Sequence, residues 1–245
     1  MTGTVAVLRH PDRDVLVQAT AARLVTRLVD LQQNGRVPTL ALTGGTVATE
    51  IYAAVAASPA ARAVDWGRVE VWWGDERFVP AEDDERNDRQ ARTALLDGLP
   101  LDPERVHPMP ASDGPLTDLD AAASDYARRL RESTAERFDL VLLGVGPDGH
   151  VASLFPGFPQ LEVEDTGAVA VRNSPKPPPE RISLTFPALE RTNELWFLVS
   201  GAEKADAVRR ALAPGTDPHD TPAARPRGAC RTLWLLDEAA ASALG

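Results

Sequence analysis

A three-layer, Rossmann-like α/β fold with a mainly parallel sheet flanked by helices is what this sequence predicts. Three observations carry the prediction. Short apolar runs alternate with longer stretches of helical spacing, several of those runs are apolar almost without a break, and each of four chemically rich segments directly follows such a run. Near-continuous apolar runs suit strands covered on both faces, and strand–helix alternation implies βαβ units.

Taken in order, strands are expected near Val5–Leu8, Thr39–Leu42, Val69–Trp73, Phe138–Leu143, Arg181–Thr185, Leu195–Val199 and Thr232–Leu236. Helices are expected over Asp14–Gln33, Thr46–Ala57, Leu116–Ser133 and Glu203–Leu212, which are rich in Ala, Leu and Arg with apolar positions at helical spacing. Proline-rich segments at Pro100–Pro115, Ser174–Glu180 and Pro214–Pro226 read as connections, the middle one a candidate lid. No linker or repeat breaks the pattern, so residues 1–245 are read as one domain.

Composition narrows the class. Apolar residues make up 43% and charged residues 25% of 245, near the globular average. A net charge of −10 argues against nucleic acid as the main partner but leaves room for a small anion held in a local pocket of donors. One cysteine, Cys230, excludes an intramolecular disulfide. No apolar run has membrane length, and Met1–His10 lacks the basic-then-apolar order of a leader, so a cytoplasmic protein off the membrane, with no obligate protein partner, is expected. Of 26 basic residues, 24 are arginine and only Lys176 and Lys204 are lysine.

The four rich segments share one position, beyond the carboxyl end of an expected strand, where open parallel sheets bind ligands. Thr43-Gly44-Gly45-Thr46 offers backbone N–H groups and a helix N-terminus to an anion; a plain turn with Thr46 as N-cap is the simpler reading. Gly74–Pro80 sets Asp75, Glu76 and Arg77 after an apolar strand, with Asn87 downstream. Arg77 suits a phosphate, and a carboxylate there suits sugar hydroxyls or a histidine; the plainer reading is a surface ion-pair cluster running into Glu82–Arg89. Gly144-Val145-Gly146-Pro147-Asp148-Gly149-His150 lets backbone approach a ligand closely and ends on a histidine, the natural general base near neutral pH. The other histidines, His10, His107 and His219, stand beside proline in ordinary loop contexts. Ser200–Lys204 places Lys204 in a first helical turn, where a cation opposes the helix dipole unless an anion joins it.

No metal-ligand spacing, GxxxxGK[ST] loop, GxSxG elbow or helix-opening GxGxxG is present, so neither metal nor cofactor is expected.

Together, Thr43–Thr46, Gly74–Pro80 with Asn87, Gly144–Pro156 (GVGPDGHVASLFP), Arg181–Pro187 (RISLTFP) and Gly201–Ala205 (GAEKA) resemble the 6-phosphogluconolactonase family in order and spacing over nearly the whole chain. The resemblance implies a parallel α/β fold shared with glucosamine-6-phosphate deaminases and hydrolysis of 6-phospho-D-glucono-1,5-lactone in the oxidative pentose phosphate pathway. Deaminases are similar in having GxGxDGH, but carry Glu five residues after that histidine, where this chain has Phe155, and tend to Asp-Glu-Tyr where it has Asp75-Glu76-Arg77. One departure from the usual lactonase pattern is that Asn87 lacks the common preceding Ser.

The expected mechanism makes His150 the base that activates water, with Asp148 or Asp75 orienting the imidazole. Arg77 and Lys204, with Thr43, Gly44, Gly45 and Thr46, would hold the 6-phosphate, and backbone N–H groups across Gly144, Gly146 and Gly149 would face the oxyanion. A deaminase-like isomerase and a non-catalytic sugar-phosphate sensor are the competing readings.

Overall fold

The computed structural model describes residues 3–133, 135–165 and 167–245; Met1 and Thr2, part of the segment read for a leader, lie outside the described residues. The strands are β1 (Thr4–His10), β2 (Thr39–Leu42), β3 (Glu70–Trp73), β4 (Asp75–Arg77), β5 (Phe138–Leu143), β6 (Ala168–Val171), β7 (Arg181–Leu184), β8 (Thr192–Val199) and β9 (Arg231–Asp237). The helices are α1 (Arg13–Gln33), α2 (Thr46–Ala57), α3 (Asn87–Ala94), α4 (Leu119–Glu132), α5 (Phe186–Glu190) and α6 (Ala205–Leu212).

Six strands form one parallel sheet in the order β1-β9-β8-β5-β2-β3. Inner strands β2 and β5 and edge strand β3 are buried at every position, as strands covered on both faces are, with Glu70 and Asp139 the charged residues among them. Four tryptophans of this sheet, Trp72 and Trp73 on β3, Trp196 on β8 and Trp234 on β9, are buried, and Phe197 stacks on Trp234 at 3.9 Å. Helix α1 packs on α2 and reaches β1 and β9, while α4 packs on β6 and β7. Asp12 and Asp118 cap α1 and α4 by accepting from the N–H groups of Val15 and Ala121.

The chain leaves β2 first toward β3 on one side and later toward β5, β8 and β9 on the other. A crevice therefore opens beyond the carboxyl ends of β2 and β5, where the connections diverge.

One expectation is corrected here. The run Arg181–Thr185 does not join the parallel sheet. As β7 it lies antiparallel between β4 and β6 in a separate three-stranded sheet. Gly74 is the junction: its N–H donates to Leu42 of β2, and its carbonyl accepts from Leu184 of β7. A run of four buried residues looks alike in either sheet, so sequence pattern alone does not separate them.

Candidate active site

The crevice is an open cleft of about 720 Å³, and residues from all four rich segments line it. Thr43, Gly44 and Gly45 come from the end of β2, Asp75 and Arg77 from β4, Gly144, Gly146 and His150 from the turn after β5, and Lys204 from the turn before α6. Thr46 lines a second cleft that shares Thr43–Gly45 and Lys204 with the first. Asp148 and Gly149 do not line it themselves.

The turn after β5 is closed by two backbone bonds, Gly146 N–H to the His150 carbonyl and Gly149 N–H to the Gly146 carbonyl, both 2.9 Å. A Cβ on Gly146 would lie 2.0 Å from His150 Nδ1, so only glycine lets the imidazole fold back over the turn. This closure corrects the expected oxyanion donors: the N–H groups of Gly146 and Gly149 are already used. Gly149 instead abuts Thr221.

Asp148 is the carboxylate that meets the histidine, Oδ1 to Nδ1 at 2.5 Å. Burial by itself would raise the Asp148 pKa; the hydrogen bond and charge of His150 outweigh it, with help from Lys176, and bring it down to about 2. Phe155 packs against the imidazole with ring centroids 4.6 Å apart. The side chain of His150 is 15% exposed, so its ring edge remains reachable from the cleft.

Asp75 is engaged elsewhere. Ser153 donates its hydroxyl to Asp75 Oδ2 at 2.7 Å, and the Asn87 amide donates to the Asp75 carbonyl at 2.8 Å and to Oδ1 at 3.3 Å. Asn87 also accepts from Arg77 Nη1, which donates a second bond to the Glu85 carbonyl at 3.0 Å. The Arg77 Nε–H is buried with no partner among the described residues. A guanidinium held on one edge and unsatisfied on another is ready for an oxyanion. Asn87 further explains Gly44, where a Cβ would lie 1.7 Å from its Oδ1.

Glu76 is wholly buried and does not line the cleft. Its carboxylate accepts the backbone N–H groups of Arg77, Asn87 and Asp88 at 2.8, 2.7 and 2.9 Å, with Arg86 3.6 Å away. Burial is the larger influence and pushes its pKa up to about 7, against the pull of Arg86 and the three N–H groups. The tract Glu82–Arg89 is therefore only partly a solvated face: Arg86 and Asn87 are buried under it. Burial of arginine and asparagine inside a charged run leaves no mark in the sequence.

Helix α2 begins at Thr46 with Gly45 as N-cap, not with Thr46 as the cap. Gly45 has no side chain to satisfy the first-turn N–H groups, which face the second cleft. Lys204 sits in a short 3-10 turn, Ala202–Lys204, directly before α6. Burial draws its pKa down first, then the charge of Lys176.

Sequence reasoning missed Lys176 and Arg181 as cleft residues. The scarcity of lysine was the available signal for the first; for the second, nothing in a strand-like run announces a guanidinium turned to the site. Ala152, also on the cleft, holds a left-handed φ of 49°, a conformation costly for a residue with a Cβ.

Among the described residues, no group of three or more His, Cys, Asp or Glu side chains is placed to hold a metal ion. No described helix is long and apolar enough to cross a membrane.

Residues 11–234 match the family model for glucosamine-6-phosphate isomerases/6-phosphogluconolactonase. The chain belongs to that family. It is 49% identical over 252 residues to a 6-phosphogluconolactonase of Streptomyces coelicolor, covering all of this chain and 96% of the relative. To a 6-phosphogluconolactonase of Mycobacterium tuberculosis it is 46% identical, with 96% of each chain covered. Among solved structures, the 6-phosphogluconolactonase of Thermotoga maritima superposes with a TM-score of 0.81 at 26% identity, over 96% of this chain and 99% of the other.

Proposed function

We propose that this protein is a 6-phosphogluconolactonase that hydrolyses 6-phospho-D-glucono-1,5-lactone to 6-phospho-D-gluconate in the oxidative pentose phosphate pathway, with His150 as general base. The observation that carries this reading is the Asp148–His150 pair set at one cleft with Arg77 and Lys204. The full-length likeness to proteins of that name supports the substrate.

In this mechanism Asp148 accepts from Nδ1–H and so leaves Nε2 as the proton acceptor. Nε2 takes a proton from water as its oxygen bonds to C1 of the lactone. The carbonyl π pair moves to oxygen, giving a tetrahedral oxyanion. On collapse the C1–ring-oxygen bond breaks, and the imidazolium returns its proton to the departing ring oxygen. Gly144 and Val145, which line the cleft beside His150, are the remaining candidates in that turn for an N–H aimed at the oxyanion. Arg77, Lys204 and the open first turn of α2 take the 6-phosphate, whose binding orients a carbonyl several bonds away.

Phe155 separates this reading from a deaminase, because an apolar ring packed on His150 replaces the carboxylate expected there in a ring-opening deaminase.

The deciding experiment supplies lactone freshly from glucose 6-phosphate with its dehydrogenase and subtracts spontaneous opening. Acceleration proportional to enzyme and lost in His150→Ala is expected. Ammonia release from glucosamine 6-phosphate without lactone acceleration would establish the deaminase instead, and phosphate-sugar binding without turnover of either would leave a sensor.

A further inference from the structure

The turn that carries His150 is tied down from outside as well as from within. Within it, Gly146 and Gly149 spend their N–H groups on the His150 and Gly146 carbonyls. From outside, two successive carbonyls are taken by residues distant in sequence. The Asp148 carbonyl accepts from Arg210 Nη2 at 3.3 Å, and the Gly149 carbonyl accepts from the Ala223 N–H at 2.9 Å. Thr221 is buried against the same peptide: a Cβ on Gly149, whose φ is a left-handed 94°, would lie 2.8 Å from Thr221 Cγ2. The loop beyond Phe155 is held by the same segment, the Gly157 N–H donating to the His219 carbonyl at 2.9 Å.

Arg210, in the last turn of α6, joins these contacts. Its Nε donates to Asp206 Oδ2 at 3.0 Å, its Nη1 to Thr221 Oγ1 at 2.5 Å and its Nη2 to the Asp148 carbonyl. Its neighbour Arg209 shows what a plain helix-end arginine does: it pairs with the other oxygen of Asp206 at 2.6 Å on the exposed face. Pairs of that kind contribute little to stability. Among the described residues, Arg210 alone of the two goes on to acceptors in two other segments. A planar guanidinium can hold several acceptors at fixed angles, which a flexible ammonium cannot.

The carbonyl that Arg210 holds and the carboxylate that meets the imidazole belong to one residue. Both leave from the Asp148 Cα, so fixing the peptide plane fixes the direction in which the carboxylate sets out. That carboxylate reaches His150 Nδ1 at 2.5 Å and also accepts the His150 N–H at 3.4 Å. Displacing it would free the ring to turn and to exchange its tautomer. We propose that Arg210 is a positioning residue for the acid–base pair. It lines neither cleft, and it holds the Asp148 backbone so that the carboxylate keeps the proton of His150 on Nδ1. The inference rests on the reading of His150 as general base and deepens it by naming what sets the partner of that base.

Arg210→Met keeps the apolar stem and removes the guanidinium. Its kcat for lactone opening is expected to fall about 10–100-fold, with KM within about twofold of wild type. Imidazole nitrogen-15 shifts, assigned to His150 by the signal that His150→Ala lacks, should show a larger share of ring protonated at Nε2. Arg209→Met, which gives up only the Asp206 pair, should match wild type in both readouts. In an Asp148→Asn background, Arg210→Met should cost less than about threefold more in kcat, because a residue acting through Asp148 has nothing left to position. Unchanged kcat, a kcat loss with the wild-type tautomer, or full additivity with Asp148→Asn overturns the inference. Should Arg210→Met fail to fold, Thr221→Val keeps the shape against Gly149 and drops the hydroxyl that takes Nη1. It should move tautomer and kcat in the same direction, and no movement in either overturns the inference. The tautomer needs no substrate, so the two readings fail separately. A wild type that opens no lactone would sink the lactonase reading, while a tautomer shift in Arg210→Met would leave the positioning role standing; lactone opening with a tautomer indifferent to Arg210 does the reverse.

Discussion

Asp148 and His150 meet through Oδ1 and Nδ1 at 2.5 Å, with only Gly149 between them in the chain. A carboxylate so close fixes which ring nitrogen carries the proton, and in the proposed mechanism the acid–base work falls to the other. His150→Ala should therefore lower kcat by about 10²–10⁴ and leave 6-phosphogluconate affinity near wild type. Asp148→Asn should keep the fold and cost on the order of 10² in kcat, because an amide N–H facing Nδ1 favours the wrong tautomer. Steady-state kinetics beside a binding titration checks both; near-wild-type kcat in His150→Ala would remove the histidine from the mechanism.

Gly146 is a sharper probe of the same geometry. A methyl group there would collide with the imidazole, whose Nδ1 would be 2.0 Å away. Gly146→Ala should fold, with its far-ultraviolet circular dichroism preserved, and lose kcat comparably to Asp148→Asn as the ring is displaced. Full activity in this variant would mean that the turn relaxes without moving the base.

Arg77 is held by Asn87 and by the Glu85 carbonyl, with its Nε–H left unpaired among the described residues. Arg77→Ala should raise KM at least tenfold with a smaller change in kcat. Asn87→Ala should produce a weaker form of the same defect, since it frees the guanidinium without deleting it. A pure kcat effect in both would instead place Arg77 at the reacting carbon.

Glu76 gives a pH prediction about stability. Its pKa is raised by burial from 4.5 to about 7. Below pH 4.5 both folded and unfolded chains hold the proton. Between 4.5 and 7 the folded chain binds more protons than the unfolded one, so stability from this group falls as pH rises, and the loss is complete above about 7. The effect is on the order of 1–3 kcal/mol. Urea denaturation at pH 5 and pH 7.5 should show it, and Glu76→Gln should flatten the difference. An unchanged slope in that variant would assign the pH dependence to other groups.

Much of the site was legible from the chain because its parts are local. Gly144–His150 carries its own turn chemistry, and Thr43–Thr46 announces a strand passing to a helix. Glycines at close approaches and a histidine among them are composition-level signals. The choice between Asp75 and Asp148 was not legible. It depends on Ser153 and Asn87 claiming Asp75 from elements distant in sequence.

The sequence by itself determined the alternation of strands and helices, the burial of the parallel sheet, and the family, since each follows from patterns within a few residues or from motifs in order. Only the tertiary structure decided that Arg181–Leu184 pairs antiparallel in a second sheet, that Glu76 turns inward while Arg77 lines the cleft, and that Lys176 and Lys204 line that same cleft. Strand partners, the inward or outward sense of adjacent polar residues, and charge proximity across loops are set by which surfaces meet when the layers close. That meeting is a property of the packed chain, and no local window of sequence contains it.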